Sequence, residues 1–84
     1  MDRNRNKPVI PTREEAKKII PMIRAEFAKA GADPISVGEQ PLGGVMARAT
    51  IPDEGRDGFV SALFGNGIVP VEIRAGEWAF AIRR

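Results

Sequence analysis

Apolar positions along the chain follow two spacings that alternate. From Ala16 to Phe27 they recur at helical intervals (Ala16, Ile19, Ile20, Ile23, Phe27), with Lys17, Lys18, Arg24 and Glu26 on the intervening face. The pattern predicts one helix over about residues 13–30. Thr12 followed by Glu15 is a capping box, in which hydroxyl and carboxylate each satisfy an otherwise unpaired backbone N–H. Glu14 and Glu15 suit the positive end of the helix dipole. Pro21 removes one hydrogen bond inside the helix and predicts a kink, and Gly31 supplies the stop.

The period then falls to two. Ile35 and Val37 alternate with small or polar residues, Pro41 and Gly43-Gly44 mark a turn, and Val45, Ala47, Ala49 and Ile51 alternate again. This predicts a β-hairpin that ends at Pro52. A second helix is expected from Asp53, as N-cap, to about Phe64, with Phe59, Val60 and Leu63 as its apolar face. Gly55 and Gly58 weaken its first turns by about 1 kcal/mol each relative to alanine, and Gly65-Asn66-Gly67 closes it.

Residues 68–83 predict a second hairpin. With Ala75-Gly76 as a two-residue loop, Arg74 pairs with Glu77, Ile73 with Trp78, Glu72 with Ala79, Val71 with Phe80, Pro70 with Ala81 and Val69 with Ile82. Every second pair is then apolar, and a one-residue slip would mix the faces. Two details oppose this register: Ala-Gly is not favoured tight-turn chemistry, and Pro70 lacks the N–H its pairing would use. Trp78, Phe80 and Ile82 read as a core strand on the same face as Val69, Val71 and Ile73. Any binding surface then lies on the back of that strand.

The two halves share the plan helix–hairpin, and residues 43–51 align in pattern with 76–84, Val45 over Trp78, Ala47 over Phe80 and Ala49 over Ile82. The expected architecture is α+β, in two layers with the order α-β-β-α-β-β. It has a four-stranded, mostly antiparallel sheet with both helices on one face. Residues 1–11 are expected to form a flexible basic arm and 12–84 a single domain. Pro8-Val9-Ile10 offers an added edge strand. A β-α-β-α-β-β order with Ile35–Val37 as a loop is the alternative, and that shape resembles the small sulfur-carrier proteins of the TusA family. The cysteine and Cys-Pro motif of that family have no counterpart in this chain, so the resemblance implies no site.

Composition narrows the chemistry. Eighty-four residues bury only about 60–65% of the surface that the unfolded chain exposes. With no cysteine there is no disulfide, and with no histidine either a zinc site is disfavoured. A cytoplasmic setting is expected, without a membrane span. Net charge is +2. Arg3, Arg5 and Lys7 against Asp2 place it in the first seven residues, so the rest is balanced.

Catalytic parts are missing. Without His, Cys or Tyr, Ser36 and Ser61 have no nucleophile–base partner. Asp53, Glu54 and Asp57 read better as an acidic helix start than as a magnesium site. Neither Gly43-Gly44 nor Gly65-Asn66-Gly67 matches a nucleotide fingerprint. No enzyme and no cofactor is expected.

The candidate site is the open back of the sheet. Its residues are Met46, Arg48, Arg74, Ala79, Ala81 and Arg83, joined by Thr50, Glu72 and Glu77. No aromatic projects there for base stacking. The expected function is a small non-enzymatic interaction protein that binds a protein partner, of inhibitor or adaptor type, with a homodimer as one form. Compact motif-free proteins of this size are often encoded by phages and other mobile elements. The alternative is a weak nucleic-acid-binding module using the sheet back and the N-terminal arm.

Overall fold

The first apolar stripe forms a helix because its ends are satisfied locally and its face is continuous. In the computed structural model, which describes residues 8–41 and 43–83, α1 spans Arg13–Lys29 and continues through Pro21. Thr12 Oγ1 accepts from the Glu15 N–H at 3.2 Å, and Glu15 Oε1 accepts from the Thr12 N–H at 2.8 Å, which is the expected capping box. Ala16, Ile19, Ile23 and Phe27 are buried along one face. The second helix, α2, spans Asp53–Gly65 and buries Phe59 and Leu63. Its N-cap is Pro52 with no side-chain cap, so Asp53 is the first helical residue and not the cap. Proline's fixed φ suits helix entry, and Asp53 then sits in the first turn beside the positive dipole end.

Among the described residues, five strands complete the fold: β1 (Pro8–Val9), β2 (Ile35–Glu39), β3 (Val45–Ala49), β4 (Ile68–Arg74) and β5 (Glu77–Arg83). All pairings are antiparallel. The column order is β4-β5-β3-β2, and β1 shares one edge of β5 with β3, opposite residues 82–83 where β3 stands opposite 77–80. The expected α+β architecture is therefore present, with a short fifth strand added from the N-terminal side. Ile35–Val37 is part of a strand and not a loop, which removes the alternative order. Of the expected N-terminal arm, residues 1–7 lie outside the described residues. Pro8 and Val9 pair with β5 and Pro11 is buried, so residues 8–11 belong to the domain.

Both helices cover the same face. Val37, Val45, Ala47, Ala49, Ile68, Trp78, Phe80 and Ile82 are buried beneath them with the helix residues. Phe27 and Phe59 stack with centroids 4.4 Å apart, and Trp78 meets Phe59 edge-on at 5.3 Å. Trp78 is only 2% exposed, and its Nε1–H donates to the Ala49 carbonyl at 3.0 Å. The opening helix and closing strand thus meet in one core.

The repeated plan extends to the pairing. Ile35↔Ala49, Ser36↔Arg48, Val37↔Ala47, Gly38↔Met46 and Glu39↔Val45, each advanced by 33 residues, become Ile68↔Ile82, Val69↔Ala81, Pro70↔Phe80, Val71↔Ala79 and Glu72↔Trp78, all of which are present. Between β3 and β5 the same shift exchanges Val45↔Phe80 with Ala47↔Trp78 and leaves Met46↔Ala79 on itself. An approximate twofold therefore passes between Met46 and Ala79, at the centre of the sheet.

Candidate functional site

The face opposite the helices is built by parity. Because Trp78, Phe80 and Ile82 face the core, Glu77, Ala79 and Ala81 project from the back. Met46 and Arg48 of β3 and Ser36 and Gly38 of β2 follow for the same reason.

On β4 the register differs from the expected one. Arg74 does pair with Glu77, but an irregularity between Glu72 and Arg74 shifts everything beyond it by one residue. Trp78 therefore faces Glu72, and Phe80 faces Pro70. Ile68 moves into the core, whereas Val69 and Val71 move to the back, where Val71 is 49% exposed. The placement of Val69, Val71 and Ile73 on the core face is thus corrected. Hydrogen bonding explains the shift. The Arg83 N–H donates to the Gly67 carbonyl at 2.9 Å. In an antiparallel ladder, bonded pairs alternate with unbonded ones, so Val69↔Ala81 and Val71↔Ala79 are bonded and Pro70↔Phe80 is not. Pro70 then turns its nitrogen to the free edge and loses no ladder bond. Pro70 was the sequence signal for this register.

The bulge also relocates Glu72, expected on the back. It lies on the helix face, where its carboxylate pairs with Arg56 of α2 and accepts from the Gly76 N–H at 3.2 Å. Arg56 lies over the Trp78 ring at 5.6 Å. The Arg56 hydrogen bond, then that from Gly76, holds the Glu72 carboxyl below the usual carboxylate range, and Arg56 is correspondingly raised.

Of the six expected site residues, five share the back. Met46 and Ala79 are cross-strand partners at its centre, and Ala81 continues along β5. Arg48 stands opposite Glu77, while Arg74 holds Glu77 at 3.2 Å. Arg48 itself has no ion-pair partner among the described residues. Arg83 departs from the group: its Nη2 lies 3.4 Å from the Phe64 carbonyl, and its guanidinium packs 5.4 Å from the Phe64 ring, round the end of the sheet.

The face is therefore a lattice of rows. The central row reads Gly38, Met46, Ala79, Val71, and the next reads Ser36, Arg48, Glu77, Arg74. On the other side, Ala81 and Val69 continue the block, and Ile10 lies against Gly44 at the end of β3. A shallow depression of about 300 Å³ lies over Gly38, walled by Met46, Arg48 and Glu77.

Both sheet edges are blunted, so recognition by strand addition is disfavoured. Pro70 interrupts the β4 edge. On β2, the outward Val37 carbonyl accepts from Arg24 of α1 at 3.1 Å. Among the described residues no group of three or more acidic side chains is arranged to hold a metal ion, and no helix is long and apolar enough to cross a membrane. No protein-family model, curated protein or solved structure matches this chain.

Proposed function

We propose that this chain is a small non-enzymatic interaction protein, of inhibitor or adaptor type, whose open sheet face docks on a protein surface. The observation that carries the reading is the block of Met46, Ala79, Ala81, Val69 and Val71 on the face opposite both helices, left open by the described residues. Apolar area at the centre with charge at one end is the usual make-up of a protein-binding patch. Nucleic acid is the weaker reading on this geometry. Arg83 is engaged at Phe64, Glu77 offsets Arg74, and the centre offers neither cations nor a stacking platform.

A photo-crosslinking residue at position 79, compared with one at the exposed Lys17 of α1, tests this in extract of the source cells. Protein adducts specific to position 79 and resistant to nuclease are expected. Nuclease-sensitive adducts at 79 that disappear with Arg48→Glu would overturn the reading in favour of nucleic acid.

A further inference from the structure

The geometry points to a second copy of this chain as the occupant of the open face, in a dimer whose twofold axis runs parallel to the strands between β3 and β5. This rests on the sheet-face reading above and names its partner. A rotation about that axis keeps each row and reverses the column order. Each row of one copy then meets the same row of the other, read backwards.

The central row shows what this does. Gly38, Met46, Ala79 and Val71 meet Val71, Ala79, Met46 and Gly38. Each large side chain faces a small one, and Val71 enters the depression over Gly38. In the charged row Arg48 faces Glu77 of the second copy, and Glu77 faces its Arg48. Arg48, which has no ion pair among the described residues, thereby gains one, twice per dimer. An in-plane axis perpendicular to the strands does neither, because it sets Met46 on Met46 and carries Arg48 and Glu77 over Gly44 and Ala81. Of these two axes, only the one parallel to the strands makes the face self-complementary. Isologous contacts require that property.

Size sets the expected strength. Four strand columns at about 4.8 Å and strands of 5 to 7 residues at about 3.4 Å give a face of about 400 Å² per copy. Counted as accessible surface on both copies this is roughly 1,000 Å², the lower end for a specific interface. The two sheets would stack about 10 Å apart and cross at about 30°, which keeps the contacts nearest the axis aligned. Dissociation in the micromolar to millimolar range follows.

Sedimentation equilibrium of the purified chain, up to about 1 mM, tests the dimer, with circular dichroism confirming that each variant folds. Wild type should associate, and Val71→Arg should weaken association roughly tenfold or more. Arg48→Glu sets carboxylate against carboxylate in both charged contacts, and Glu77→Arg sets guanidinium against guanidinium, so each variant alone should be monomeric. Their equimolar mixture restores both opposite-charge pairs across the interface and should form heterodimers. A wild type that stays monomeric throughout would overturn the dimer, as would a mixture no more associated than its components. If position 79 then still crosslinks to a different protein, the sheet-face reading stands and only the second copy fails. If it crosslinks to nothing, both fail.

Discussion

Replacing Gly55 by alanine should destabilise the protein, although alanine is the better helix former. At Gly55 a Cβ would lie 2.3 Å from the Ala30 carbonyl oxygen and 3.1 Å from the Ala30 carbonyl carbon, both backbone atoms at the end of α1. Ordinary contact needs about 1 Å more, so the two helices must separate or α2 must shift over the Phe27–Phe59 stack. Overpacking of this kind costs about 1–3 kcal/mol, and helix propensity returns about 1 kcal/mol. The net expectation is a loss of up to about 2 kcal/mol. Gly58 is the internal control, because the same substitution in the same helix meets nothing within 4 Å. Gly58→Ala should stabilise by about 0.5–1 kcal/mol. Urea denaturation followed by Trp78 fluorescence would measure both, and thermal midpoints should move in opposite directions by about 4–8 °C per kcal/mol. Gly55→Ala as stable as Gly58→Ala would refute the close helix approach.

Three further outcomes follow from other contacts. Trp78→Phe removes the indole bond to the Ala49 carbonyl and leaves a void beside Phe59, and should cost about 2–3 kcal/mol in urea denaturation. The Glu72 carboxyl is held below its ordinary range, so its contribution is fully present above the unfolded carboxylate pKa and is lost as pH falls through the lower folded value. Glu72→Gln should therefore flatten the acid limb of a stability–pH curve and change the neutral-pH fluorescence of Trp78, beneath Arg56. The double variant Arg24→Ala/Pro70→Thr unblocks both sheet edges and should increase light scattering on heating while the secondary structure at 25 °C is kept. Unchanged scattering would show that the edges are guarded by something else.

The candidate site was only half legible in the sequence. Met46, Arg48, Ala79 and Ala81 follow from alternation alone, because their strands have buried neighbours on both sides in sequence. Val69 and Val71 did not follow, because one bulged residue reverses the face of everything before it. Pro70 carried the correcting signal, since only one of the two registers turns its nitrogen away from the ladder. Arg83 belongs by parity to the back, but at a strand end its long side chain reaches Phe64 instead.

The sequence by itself determined the elements: period 3.6 gives way to period 2 twice, and caps, prolines and turn glycines punctuate the changes at nearly the observed boundaries. It also determined that Trp78, Phe80 and Ile82 are core, since large apolar side chains at alternate positions share one face of a strand. Tertiary structure decided the order of the strands, the bulge and the capture of Glu72 by Arg56. Those depend on which distant groups come within a few ångströms of each other. Local periodicity sets which side chains share a face, whereas the neighbours of that face are set by how the whole chain closes.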